Sequence, residues 1–178
     1  MSNFKKYVWP ALSLSIICIV VAGVLAVTNH YTEGIIKQNE IDAANAAKLA
    51  VMPEADGFDV VTLTDEQMAQ YNVVDVVVAR NGVGTVITVA SDGYKSAVPV
   101  MVGFNPDGTI AHMKVLENEE TVGVGTRVEE PEYLDQYTGL SGDLSSVQNI
   151  TGATFSSKAV YESVEKAFAV LELVKEAA

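Results

Sequence analysis

The chain has 178 residues, room for one compact domain of ~100–150 residues and an appendage. Apolar residues make up 49% but aromatics only 7%, so a stable core has to come mainly from valine, alanine, isoleucine and leucine. The formal charge is −12; Lys5 and Lys6, two of the 11 bases, precede the first acid, Glu33, leaving 9 bases against 23 acids beyond them, which argues against a nucleic-acid partner.

Residues 7–32 contain no Asp, Glu, Lys or Arg, and 11–27 read ALSLSIICIVVAGVLAV. About 20 helical residues at ~1.5 Å each cross a ~30 Å hydrocarbon core, and a helix satisfies its own backbone hydrogen bonds, which lipid cannot do. Tyr7 and Trp9 suit the interface, and Pro10 suits a first helical turn. A transmembrane helix is expected, with Lys5 and Lys6 holding the short tail in the cytoplasm and the main domain outside. The alternative is a cleaved signal peptide, with Val24-Leu25-Ala26 as its small-residue cleavage site. Cys18, the only thiol, lies inside this segment, so neither a disulfide nor a Cys-ligated cluster or zinc is expected. His30 and His112 lack metal-ligand spacing, and no metal site is expected from them.

Residues 31–51 place Ile35, Ile36, Ile41, Ala44, Ala47 and Leu49 among polar residues, so the helix is expected to continue outward until Pro53 ends it, with a break possible at Gly34. Strand signals at 73–79, 84–90, 98–104 and 109–116, the first three rich in valine, read as antiparallel strands. Asn81-Gly82 and Asn105-Pro106-Asp107-Gly108 supply turns between the outer pairs. A last helix is expected from Ser156 or Ser157, carrying Val160, Val164, Ala167, Phe168, Leu171 and Val174 at helical spacing toward the sheet. The fold class is therefore α+β: one amino-terminal membrane helix, then a mainly antiparallel sheet with packed helices.

Before that last helix stands Asn149-Ile150-Thr151-Gly152-Ala153-Thr154-Phe155-Ser156-Ser157, small and rich in hydroxyls. A helix amino terminus offers unpaired N–H groups and the positive end of a dipole, so a phosphate on Thr154 would meet donors at once. Read from the residues alone, Thr154, Ser156 or Ser157 equally serves as a plain helix cap. Glu117, Glu119 and Glu120 form no hydrolytic pair, since neither histidine has a neighbouring nucleophile. Gly123 and Gly125 do not open a helix after a strand and so make no dinucleotide fingerprint.

Thr151-Gly152-Ala153-Thr154 resembles the flavinylation signature of the FMN-binding domain family, Ser/Thr-Gly-Ala-Thr/Ser, whose last hydroxyl residue carries the flavin. Two further stretches agree in order: the run from Gly93-Tyr94-Lys95-Ser96 to Gly103, and Val115-Leu116-Glu117-Asn118-Glu119-Glu120-Thr121-Val122-Gly123-Val124-Gly125-Thr126. With the apolar helix and Tyr133-Leu134-Asp135-Gln136-Tyr137, the likeness covers most of the chain. It is similar to the G subunits of Rnf complexes, membrane ferredoxin:NAD⁺ oxidoreductases coupled to ion translocation, and to their relatives, the C subunits of Na⁺-translocating NADH:quinone reductases. Three positions depart from the family pattern: Val122 for proline, Asn118 for histidine and Gln148 for aspartate.

The resemblance implies FMN joined covalently through a phosphoester to Thr154, placed there by a separate Mg²⁺-dependent flavin transferase. It also implies other Rnf-type membrane subunits as partners, with lipid around the anchor. The cofactor-binding set is Thr154 with Thr151, Gly152, Ala153, Phe155, Ser156 and Ser157, facing Gly93, Tyr94, Glu120, Thr121, Val122, Gly123 and Gly125. Tyr133 and Tyr137 are further candidates for the ring slot on aromatic character alone. The implied layout is a cytoplasmic tail and anchor at 1–30, a helical connector at 31–52 and an extracytoplasmic FMN-binding domain at 53–178, single-pass in the cell (inner) membrane. A redox subunit, a standalone tethered flavodomain and a non-redox binding or structural module remain distinct outcomes.

Overall fold

The computed structural model describes residues 9–177. Lys5, Lys6 and Tyr7 lie outside the described residues. The chain divides after Asn45 into two compact units.

Helix α1 (Trp9–Val51) makes up the described part of the first unit, passes Gly34 without interruption and runs on into the second. Its segment Ala11–Gly34 has a mean hydropathy of 2.6, and none of its most apolar window is buried. Ser15, Thr28 and Thr32 donate their hydroxyls to carbonyls four residues back, so these polar groups are satisfied inside the helix.

The second unit is a five-stranded antiparallel sheet in chain order: β1 (Phe58–Val60), β2 (Val73–Ala79), β3 (Thr85–Asp92), β4 (Ala97–Phe104) and β5 (Ile110–Val115). The longest ladder pairs β3 with β4, from Thr85 opposite Phe104 to Asp92 opposite Ala97. Because strand side chains alternate between faces, Ile87, Val89, Val98, Val100 and Val102 reach one face and Val77, Val86 and Met101 the other.

Helix α4 (Thr154–Ala177) covers the first face with Ala159, Val160, Val164, Ala167, Val170, Leu171 and Val174, at the 3.6-residue period of a helix. Phe168 meets Phe104 edge-on at 5.0 Å between ring centroids. The other face is covered by Ala47, Val51 and Met52 at the end of α1, with Ala55. Lys48 ties this end to β2 through Asp75 at 2.6 Å. Each fully buried valine side chain contributes roughly 1.5–3 kcal/mol relative to exposure, so a valine-built sheet closed on two faces needs few aromatics.

Three elements, β1, α2 (Asp65–Tyr71) and the single-turn α3 (Pro131–Leu134), lie outside the sequence-based expectation. Strand β1 is only three residues long, too short to show a period. Helix α2 (Asp65–Tyr71) is also short, although Thr64 and Gln67 form a reciprocal capping box at its start, a pattern readable in sequence. Between β5 and α4 the chain is irregular: a 3-10 turn at Gly125–Glu129, the single-turn helix α3 (Pro131–Leu134) and a second 3-10 turn at Asp135–Tyr137.

Candidate functional site

The last helix starts earlier than its hydroxyls suggested. Thr154 is its first residue, and the first helical bond runs from the Ser157 N–H to the Ala153 carbonyl at 2.9 Å. Gly152 has φ +87° with open space where a Cβ would stand, so the turn into the helix requires glycine for its conformation.

The capping explanation for the hydroxyl cluster does not hold. Ser157 is buried, and its Oγ accepts the Ile150 N–H at 3.1 Å from outside the helix. Ser156 is buried too, and its hydroxyl donates to Glu120 Oε2 at 2.5 Å. Thr154 is exposed, and its hydroxyl has no hydrogen-bond partner among the described residues. The amides of Thr154, Phe155 and Ser156 likewise lack acceptors among the described residues, as the first turn of a helix dictates.

These groups open onto a cleft of about 200 Å³. One wall is Gly152, Ala153, Thr154 and Phe155; the other is Thr121, Val124 and Gly125, with Tyr94 at the side and Glu120 and Ser156 in the floor. All of these except Val124 belong to the binding set expected from the sequence, and Val124 falls inside the motif that carries the Glu120 loop. The cleft is below the ~300–1,000 Å³ usual for enclosed ligand pockets, so a flavin would be held in part and would lie in part across the rim. That rim is apolar: Tyr94 is 68% exposed and Phe155 65%, and their rings stand 6.1 Å apart.

Glu120 organises the floor. Its Oε1 accepts the backbone N–H groups of Tyr94 and Lys95, each at 2.9 Å, and its Oε2 accepts Ser156. Burial pushes its pKa up, but the donors at Lys95, Ser156, Tyr94 and Ser96 outweigh that and hold the carboxyl below the ordinary glutamate value. The glycines nearby answer to this carboxylate. A Cβ at Gly93 would stand 2.7 Å from Glu120 Oε1, and one at Gly125 would stand 2.8 Å from Glu120 Oε2. Close approach is therefore required here by a protein side chain, before any ligand is considered.

Several assigned residues stand apart from the cleft. Thr151 lines a separate polar hollow with Arg127 and Gln148. Gly93 and Ser157 act from behind the walls, and Val122 and Gly123 form the tip of the loop. Tyr133 and Tyr137, expected in the ring slot, are core residues at 3% and 0% exposure. Their hydroxyls bond each other at 2.9 Å, and Tyr133 also donates to the Ser157 carbonyl. Burial raises both phenols above their ordinary pKa, so they brace the irregular segment against α4 as neutral groups. Asn118, one of the departures, accepts the Glu120 N–H and donates to Glu129, stitching the loop that carries Glu120.

Residues 93–169 match the family described as the FMN-binding domain, a span holding both the Glu120 loop and Thr154. The chain is 31% identical to the G subunit of the Na⁺-translocating ferredoxin:NAD⁺ oxidoreductase complex of Acetobacterium woodii, over 90% of this chain and 89% of that protein. It is 27% identical to the G subunit of the ion-translocating oxidoreductase complex of Methanosarcina acetivorans, over 94% of this chain and 95% of that protein. Among solved structures, NqrC of Shewanella oneidensis overlays with a TM-score of 0.48 at 21% identity, covering 66% of this chain and 67% of that one. By its likeness to the Acetobacterium woodii protein over nearly the whole of both chains, this chain belongs to the G-subunit family of the Rnf ion-translocating oxidoreductase complexes, built on an FMN-binding domain.

Proposed function

We propose that the protein is an electron-transfer subunit of a membrane-bound Rnf-type complex and carries FMN as a phosphoester on Thr154. The observation that carries this is the free, exposed Thr154 hydroxyl at the head of α4, beside unpaired amides and an open cleft. Phosphate at a helix start gains from those donors and from the helix dipole. The small cleft supports a covalent tether, because a site that encloses only part of a ligand holds it weakly by contact alone. FMN bound there supplies reversible electron transfer, and the chain supplies position, local charge and partial exclusion of water.

Loading forms a bond from Thr154 Oγ to the flavin-side phosphorus of FAD and breaks the pyrophosphate link. AMP leaves with the bonding pair, and the hydroxyl proton passes to a base of the flavin transferase. A threonine hydroxyl is a poor nucleophile at neutral pH, so its activation belongs to the transferase and its metal. The apolar segment Ala11–Gly34 is the single membrane anchor in this reading. The sheet domain then stands on the extracytoplasmic side, where a tether prevents loss of cofactor, and the carrier works with other complex subunits rather than as an enzyme alone.

The test is a denaturing gel of protein matured with an active transferase. Wild type gives a flavin-fluorescent band, Thr154→Ala gives none, and Thr151→Ala still gives one, because Thr151 lines a different hollow. A dark wild-type band, or a fluorescent Thr154→Ala band, refutes the linkage.

A further inference from the structure

Glu120 is the only charged residue in the buried core among the described residues, at 4% exposure. A buried carboxylate is costly unless it is hydrogen-bonded, and apolar side chains of similar size often fill such a space at least as stably. Here the carboxylate gathers three segments separated in the chain: the 93–96 loop, its own loop and the first turn of α4. Gly93 and Gly125 leave it the room. A carboxylate is acceptor-only, so it can be satisfied only with the Tyr94 and Lys95 amides turned inward and the Ser156 hydroxyl rotated away from its own helix. Ser156 lies two residues from Thr154, within the same helical turn.

We propose that Glu120 is a positioning residue for the acceptor hydroxyl. Through Ser156 it holds the first turn of α4, and through the Tyr94 and Lys95 amides it holds the side of the cleft. Thr154 is thereby presented to an incoming flavin phosphate in one orientation, before any cofactor is present. The inference rests on Thr154 being the point of attachment. It adds that the acceptor is preorganised by the Glu120 carboxylate, which bonds Ser156 and the Tyr94 and Lys95 amides and makes no bond to the Thr154 hydroxyl.

The experiment follows FMN incorporation into the full-length apoprotein, with flavin transferase, FAD and Mg²⁺, by in-gel fluorescence and intact mass. Rates are expressed per folded molecule, with hydrogen exchange at the β3–β4 amides as the folding measure. Glu120→Ala and Ser156→Ala should each slow incorporation about ten-fold, through kcat more than through KM for the apoprotein, because misorientation of a reacting group acts on the chemical step. Glu120→Gln keeps an acceptor for the two amides and a donor for the Ser156 oxygen, and should recover most of the rate lost in Glu120→Ala. If Glu120→Ala does not fold, Ser156→Ala, which removes one hydroxyl, decides alone. Alanine variants that keep pace with wild type per folded molecule overturn the positioning role while attachment at Thr154 stands. A wild type that takes up no FMN overturns both.

Discussion

Valine has opposite surroundings in the two units of this protein. Val20, Val21, Val24 and Val27 in α1 are between 51% and 61% exposed, whereas Val98, Val100 and Val102 in β4 are at 0%. In the sheet, other parts of the same chain do the burying. In the helix, no described residue does, and a contiguous apolar surface of that extent calls for lipid or a partner to cover it. The contrast shows that apolar content states how much surface must leave water, not what removes it.

The strongest way to break the comparison is to separate its halves. Removing residues 1–45 should move the protein wholly from the membrane fraction to the soluble fraction, while circular dichroism retains the sheet signal, since both core clusters draw only on Ala47 and later residues. A truncated chain that still sediments with membranes would locate the anchor elsewhere. Next in size, Phe104→Ala, at 0% exposure and packed on Phe168, should cost about 3–5 kcal/mol in denaturant unfolding. Gly93→Ala should cost about 1–3 kcal/mol and disturb the cleft, because its methyl enters the space of Glu120 and Val98.

Acid should weaken the domain through Glu120. Its folded-state pKa lies below the ordinary glutamate value. The stability it contributes is thus complete above that ordinary value, near ~4.3, and is lost as the pH falls through the depressed one. Denaturant titrations across that range should show a decline that Glu120→Gln lessens; a wild-type-to-Gln difference that is constant with pH would contradict the assignment. The smallest effect belongs to α1: Val21→Ala in detergent should change domain stability by no more than about 0.5 kcal/mol. A larger change would mean that the sheet depends on the helix.

Much of this was legible in the residues. Apolar, mostly valine-rich runs mark β2 to β5 within a few residues, and the turns at Asn81-Gly82 and at 105–108 stand where glycine and proline chemistry put them. The likeness of Thr151-Gly152-Ala153-Thr154 and of the Glu120 loop to the FMN-binding domain family is what nominates both walls of the cleft. Other features leave no such trace. Tyr133 and Tyr137 read as ring partners because they are aromatic and fall between the motifs, yet their place in the irregular segment turns them into the core. The start of α4, at Thr154, lies two or three residues before the expected Ser156 or Ser157 because a serine pair looks like a cap.

Local pattern alone was sufficient for the apolar helix and the antiparallel α+β plan, which an uncharged run and strand-length apolar runs carry; Thr154 stands out from the other hydroxyls only through the likeness of its motif to the FMN-binding domain family. Folding had to add that Ser156 and Ser157 are committed elsewhere while Thr154 stays free, and that Glu120 requires the glycines on either side of it. Hydrogen-bond partners and excluded volume depend on which distant segments meet. Glu120 lies 36 residues from Ser156 and 26 from Tyr94, and only the folded chain brings them together.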